Sequence, residues 1–434
     1  MSADLGPLAQ PIASALEELQ RHRLRGEAFA RAGETELLRR DAAGAWETRR
    51  NSEAGIACRV AGGGRAGFAA VSGGGARAGH EAARTALAAA IPAPDPLPPR
   101  RLLGVTPVPP PAAGGSAERR EAFANAVAEV VERDGEVSLV ELRVLEGRAT
   151  SALATGEGFV ARWDSAGALV ELLLAPEDGP WRLVSTAVPS LRELDVRAVA
   201  ERALGAARLA RSGVAPPRQL ADMLLAPSVA APLVAALARH LSAGTGEPES
   251  ALAHGRVSPI WRLEDHRAGP GGLLPAPCDG EGLPARTIVL LAGGHTRERY
   301  VMWRDAHDLF GAGGGAVRRS YREPPGAGPA NLVVSPVRAL PQPGLLAALD
   351  RGFYLACPAG GVFVDQATGR FAVRCAAVSI LHGKAVATHP LVELRGSLKR
   401  LLTGLAATGA DLESFSLDCA VTTPSLLVHR LEIA

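Results

Sequence analysis

Residues 361–402 read GVFVDQATGRFAVRCAAVSILHGKAVATHPLVELRGSLKRLL. Two apolar runs, 361–365 and 371–381, flank a Gln-Ala-Thr-Gly-Arg turn, the pattern of a β-hairpin. A second break at His382-Gly383-Lys384 precedes Pro390, and an amphipathic helix starts near Ser397. Strand, turn, strand and late helix in that order predict a β-rich C-terminal half.

Working outward, that half begins near Pro216. Residues 286–292 and 299–303 read as strands joined through Gly293-Gly294, and 330–335, 352–356, 414–420 and 425–433 add more. Helices are expected at 228–242, 344–351 and 396–408. The first half opens with helical spacing over 8–24, then a hairpin of 55–61 and 65–71 around Gly62-Gly63-Gly64, then a helix over 76–91. Residues 92–115 hold nine prolines and few apolar anchors, the composition of a linker or extended crossing. A helix over 118–133 and strands at 138–145, 149–154, 159–164, 168–174 and 181–187 suggest an antiparallel meander, closed by a helix over 191–211. The expected division is 1–91, linker 92–115, 116–215 and 216–434. The fold class is α+β: an N-terminal α/β half with mixed sheets and helices, and a β-rich C-terminal domain.

At 434 residues the chain can bury a sizeable core in two or three domains. The net charge of +2 gives no signal for nucleic acid or an anionic membrane. Lysine occurs only at Lys384 and Lys399, so arginine carries the positive charge, a bias that fits a GC-rich genome. The five cysteines, Cys58, Cys278, Cys357, Cys375 and Cys419, are odd in number and widely spaced, against a disulfide framework or a zinc knuckle. They point to a reducing cytoplasm. The N-terminus shows no secretion signal, and the apolar run 229–238 is broken by Pro232 and too short to span a bilayer.

The stretch 361–402 resembles the signature of the TldD/PmbA family: a Thr-Gly-(Asp/Arg)-Phe turn, a strand, a Gly-Lys/Glu turn, a Pro-Val-like step and a Gly-X-Leu helix start. Residues 277–287, PCDGEGLPART, resemble the family's Phe-Asp-Asp-Glu-Gly-Val-Pro-Thr-Arg-Arg-Thr segment, with Cys278 for Phe and Gly280 for the second Asp. Residues 293–301 and 330–336 resemble the next turn and the Asn-Leu-x-x-x-Pro element, and 52–60 with 67–69 the early hairpin. The family contains a zinc peptidase subunit and a metal-free partner, TldE or PmbA. In the peptidase, the helix matching 227–241 carries His-Glu-x-x-x-His. Two imidazoles there ligate zinc, a Glu takes a proton from the bound water, and a Cys near the C-terminus completes the site. Here that helix reads PSVAAPLVAALARHL, with one His and no Glu. One imidazole alone holds zinc weakly, so the resemblance implies the metal-free kind of subunit, with zinc in its partner.

Other candidates read as structural. His80-Glu81 is the single His-Glu pair, but Arg84 and Thr85 stand where a second His would fall. His240 and His254 with Cys419 form a conceivable metal set, against which Cys419 reads as a core residue on a strand. Gly-x-Ser-x-Gly is absent, and Cys375 and His382, seven apart, fall on opposite faces of an ideal strand. The Gly311–Gly315 loop before Arg318-Arg319 lacks the Lys-Ser/Thr ending of a phosphate cradle. Asp279 and Glu281 read as acids holding loop amides. With Arg370 and His382 they are also the candidates for peptide or partner contact.

No catalytic or metal-ligating residue is assigned in this chain, and no cofactor. The resemblance implies a non-catalytic TldE/PmbA-like subunit, heterodimeric with a TldD-like zinc peptidase, enclosing a chamber for unfolded or ribosomally made peptides in maturation or degradation. The alternatives are a self-sufficient metal-dependent peptidase with a non-standard His/Cys site, and a binding module, for instance on a topoisomerase.

Overall fold

The structure is a computed structural model that describes residues 5–111, 115–177, 179–209, 213–242, 257–269, 273–306 and 313–434. Its first half has two helix–three strands–helix units. One comprises α1 (Ala9–Arg21), β1 (Arg25–Arg40), β2 (Trp46–Gly62), β3 (Arg65–Ser72) and α2 (Ala76–Ala88), followed by the short β4 (Ile91–Pro92). The other comprises α3 (Ala117–Glu132), β5 (Val137–Thr155), β6 (Val160–Pro176), β7 (Arg182–Val188) and α4 (Val196–Arg208). The units share one seven-stranded sheet, β4-β3-β2-β1-β5-β6-β7, joined where β1 pairs with β5. Every pairing in it is antiparallel, so the mixed pairing lies elsewhere.

All four helices pack on one sheet face. Ile12, Ala15 and Leu19 of α1 and Ala82, Ala83 and Ala86 of α2 cover Ala28, Ala30 and Ala152. Phe123, Val127 and Val131 of α3 and Ala200, Ala203 and Ala207 of α4 cover Leu38, Val144 and Leu172. The spacing of three to four residues is what an amphipathic helix needs to bury one stripe. Gly79 lets α2 rest on α1: a Cβ there would lie 2.1 Å from the Pro11 carbonyl oxygen.

The second half contains β8 (Gln219–Leu225), α5 (Pro227–His240), β9 (Arg262–His266), β10 (Thr287–Ala292), β11 (His295–Thr296), β12 (Ala316–Val317), β13 (Gly326–Ala327), β14 (Asn331–Val334), β15 (Ala339–Leu340), α6 (Gln342–Leu349), β16 (Arg351–Val364), β17 (Arg370–Leu381), β18 (Lys384–Ser397), α7 (Leu398–Gly404), β19 (Leu405–Gly409), β20 (Glu413–Ser416), β21 (Ala420–Thr423) and β22 (Leu426–Ile433). Strands β22-β18-β17-β16-β8 close into a ring, because β8 pairs with both β16 and β22. A six-stranded sheet, β11-β10-β9-β14-β21-β20, lies beside it. Helix α5 runs through the core they share, with Val229, Leu233, Val234 and Leu237 against Trp261, Leu263, Leu290, Phe353 and Val373. No helix among the described residues is long and apolar enough to cross a membrane.

Several expectations change. The strands expected at 138–145 and 149–154 are one strand, β5, and those at 159–164 and 168–174 are one strand, β6. Gly147 and Gly167, which fall in the short gaps between those expected strands, pair with each other inside the ladder. Strand β1 was not foreseen, since its charges and small residues blur the alternation. Residues 299–303 are not a strand; 303–305 form a 3-10 turn. The helix expected over 396–408 stops at Gly404, and the chain continues as β19. Cys419 sits in the turn between β20 and β21, not on a strand. The Pro-rich segment is anchored: Leu97 and Leu103 are buried, and the Gly104 and Thr106 amides donate to the Gly282 and Pro277 carbonyls at 3.0 and 2.7 Å.

Candidate functional site

The second face of the seven-stranded sheet turns toward the C-terminal half. Odd-numbered residues of β1, and of β5 beyond the irregularity at Leu139/Glu141, lie on it, as the period of two requires. At its middle, Gly33 pairs with Ala149, Ala149 with Ser165, Thr35 with Gly147 and Gly147 with Gly167. Small side chains on three adjacent strands hollow the surface into a groove. Its deep end, a space of about 270 Å³, is lined by Phe29, Trp163, Cys278 and Leu274 together with Arg31, Arg318 and Arg319. The middle, about 450 Å³, shares Arg31, Ser165, Leu274 and Arg319 with the deep end and adds Leu145, Leu169 and Tyr321. An outer stretch of about 350 Å³ continues over Leu37, Leu145 and Leu169. The walls are apolar, with charged side chains along the edges, a surface suited to an extended chain with apolar side chains.

A buried ionic network forms the seam beneath the deep end. Arg59 on β2 grips Glu27 on β1 through both oxygens, at 2.6 and 2.9 Å. Arg318 bonds Glu27 as well and donates from Nε to the Gly280 carbonyl at 2.6 Å. Burial alone would raise the Glu27 carboxyl, but Arg318 and Arg59 outweigh it and hold it below the usual range. Asp279 accepts the amides of Glu281 (2.8 Å), Leu283 (2.9 Å) and Ala316 (3.3 Å). Glu281 accepts the Trp303 amide at 2.9 Å, with Arg59 Nη1 3.9 Å away. Burial, reinforced by Asp279, pushes Glu281 up to about 8, and burial also raises Asp279 against the pull of Arg267 and its amides.

The helix that the sequence resemblance sets against the peptidase's ligand helix is α5. Its residues from Val229 to Ala238 are buried except Pro232, and each of these buried ones is apolar. His240, at its end, has Nδ1 3.1 Å from the Ala236 carbonyl and Nε2 3.1 Å from the Gln366 carbonyl. Both nitrogens therefore face acceptors, and neither lone pair is directed at a cation. Arg239 pairs with Asp418 at 2.6 Å, beside Cys419, whose thiol burial pushes up to about 12. Among the described residues no three His, Cys, Asp or Glu side chains cluster as metal ligands would. These residues do not fit a zinc ion: a protonated thiol and a carbonyl-capped imidazole offer no first coordination shell. His254 lies outside the described residues.

Of the other sequence candidates, the structure brings Asp279 and Glu281 together in the seam, buried. Arg370 and His382 are exposed at opposite ends of β17 and its turn, and His382 sits 3.5 Å from Asp350. Cys375 is fully buried, so it does not meet His382. His80 faces Glu18 at 3.4 Å, across the α1–α2 contact. Gly311 and Ala312 lie outside the described residues, while Arg318 and Arg319, which follow that loop, line the groove. Sequence reasoning missed Arg31, Trp163 and the glycine floor. It also missed a Ser379 hydroxyl 2.6 Å from His389 Nε2, whose Nδ1 lies 2.5 Å from the Val214 carbonyl. That trio clamps the crossing between the halves to β17 and β18. The Gly147–Gly167 register was the signal available in the sequence, had the strands been joined.

The profile of the PmbA/TldA metallopeptidase C-terminal domain matches residues 218–434. Among solved structures, TldE from Thermococcus kodakarensis is similar at 17% identity and TM-score 0.85, covering 98% of each chain. A candidate modulator of DNA gyrase from Thermotoga maritima is similar at 16% identity and TM-score 0.81, over 97% of this chain and 99% of that one. At such identities the likeness speaks for the fold. A search of curated proteins finds no match. With the profile spanning half the chain, over the half that holds α5 and the β16–β18 hairpins, the chain is a member of the TldD/PmbA family.

Proposed function

We propose that this chain is a non-catalytic, TldE-like subunit of a heterodimeric zinc peptidase. Its partner, a TldD-like chain, supplies the metal and the general base. The groove forms part of the chamber that receives unfolded or ribosomally made peptides for maturation or degradation. The observation that carries this reading is α5: where the family's peptidase has imidazoles and a carboxylate, this helix has alkyl groups sealed in the core, and its one His is held by two carbonyls. Extended peptides need a long half-open surface with apolar walls, and the groove along β1, β5 and β6 has that form. Five unpaired cysteines, all buried, agree with a reducing cytoplasm.

The test is metal content and proteolysis of the purified chain, alone and mixed with a TldD-like partner. The proposal expects no stoichiometric zinc and no cleavage of an unfolded peptide by the chain alone, and cleavage in the mixture. Chelator-sensitive cleavage by the chain alone would overturn it in favour of a self-sufficient metallopeptidase.

A further inference from the structure

The deep end of the groove is cationic beyond what its own acids balance. Arg318 is 4% exposed in its side chain and stacks over Phe29 at 5.0 Å. Its Nε and Nη2 are engaged, but Nη1 is buried with no hydrogen-bond partner. Arg31, on β1, is half-buried and Arg319, next to Arg318, is exposed at the mouth; both line this end of the groove. Among the described residues neither has a hydrogen-bond or ion-pair partner. Glu53 lies near enough to favour the Arg31 cation, but its carboxylate is taken by Arg322 at 2.7 Å. The acids lining this end are committed too: Asp279 to three backbone amides and Asp418 to Arg239. Arg267, the fourth cation here, is consumed by Asp265 and by the Gly315, Ala316 and Gly328 carbonyls.

A guanidinium drawn partly out of water without a counter-charge of its own is costly, and burial pulls Arg31 below its usual range. A ligand carboxylate entering between them would be met by fork-shaped donors in a poorly solvated space, the setting where charge-assisted pairs are strongest. The apolar wall of Phe29, Trp163 and Leu274 would seat the carbon chain that carries it.

We propose that Arg31, Arg318 and Arg319 form a carboxylate-binding subsite that anchors one end of a peptide lying in the groove. This rests on the groove being a peptide site. The carboxylate is either the peptide's C-terminus or an Asp or Glu side chain, and the experiment separates the two. Arg319 and Arg31 supply the free donors, and Arg318, fixed by Glu27, sets the floor.

Four fluorescein-labelled extended octapeptides, titrated into the full chain by anisotropy, test this. They carry a free C-terminus, an amidated C-terminus with Gln, an amidated C-terminus with Glu, and a free C-terminus with Glu. The expected result is that at least one carboxylate-bearing peptide binds about tenfold or more tighter than the amidated Gln peptide, as one charge-assisted contact implies. That preference should vanish in both Arg319→Gln and Arg31→Gln. Whether the free-terminus or the Glu arm shows the gain identifies the source. Equal affinity for all four peptides, or a preference that survives both substitutions, overturns the subsite and leaves the groove standing. No binding of any peptide overturns the groove itself and the subsite with it.

Discussion

Oε1 of Glu281 lies 3.9 Å from Nη1 of Arg59, across the seam between the N-terminal sheet and the C-terminal half. That cation is too distant, and too committed to Glu27, to keep Glu281 ionised. Burial and Asp279 push its carboxyl up to about 8. In the unfolded chain a glutamate titrates near 4.3. Between those values the folded protein holds a proton that the unfolded chain has lost. Stability from this group is therefore fully present below the unfolded value, falls as pH rises, and levels off above about 8. One proton sets a limiting slope of about 1.4 kcal/mol per pH unit. Urea unfolding from pH 5 to 9 should show the decline in the native chain, and Glu281→Gln should flatten it. Identical slopes in both would remove Glu281 as the titrating group.

Glu27 is the hub of the same network, since Arg59 and Arg318 both bond it. Glu27→Gln keeps the shape but removes the charge, leaving two buried guanidinium groups facing an amide. Breaking one partner of a buried ionic set costs about 3–5 kcal/mol. Urea denaturation at pH 7 should show a loss of that size. A loss under about 1 kcal/mol would mean that water already reaches the seam.

How much of this was legible in the chain differs by region. Residues 371–381 are an apolar run followed by Gly383, so β17 and its hairpin partner stood out, and so did the emptied helix α5. Strand β1, RGEAFARAGETELLRR, did not, because its outward positions carry charges and its groove face carries Gly33 and Arg31 in place of apolar side chains. Gly147 and Gly167 read as turns because glycine favours turns, and only the cross-strand pairing of β5 with β6 overrides that preference. Arg31 and Arg319 are far apart in sequence and each looks solvated on its own. Their convergence is a property of how the two halves pack, which local pattern does not encode.

The five thiols are a separate check on the packing. Cys58, Cys375 and Cys419 are each pushed by burial up to about 12, and Cys278 and Cys357 are raised as well. The thiolate is the reactive form, so native protein at pH 8 should resist iodoacetamide for hours while all five residues alkylate in urea. Intact-mass measurement reads the number of adducts. Rapid single labelling of the native chain, mapped to Cys278 or Cys419, would show that the deep end of the groove opens in solution.

The groove floor gives the sharpest test of the functional reading. At Gly167 a built Cβ would find a nearest neighbour, the Val188 carbonyl oxygen, at 3.8 Å, which is ordinary contact. The backbone there is extended, so a side chain imposes no strain. Gly167→Leu should thus fold with stability within about 0.5 kcal/mol of the native chain, and the added strand propensity acts in its favour. The new isobutyl group would occupy the middle of the groove, between Leu145 and Leu169, where an extended peptide has to pass. Peptide binding should weaken by about tenfold or more, and cleavage by the reconstituted pair should fall with it. The comparison variant is Gly205→Ala on α4: its Cβ meets nothing within 4 Å, and α4 packs against the far face of the sheet. It should leave both readouts unchanged. Undiminished binding in a well-folded Gly167→Leu chain would place the peptide's path somewhere other than this face of the sheet.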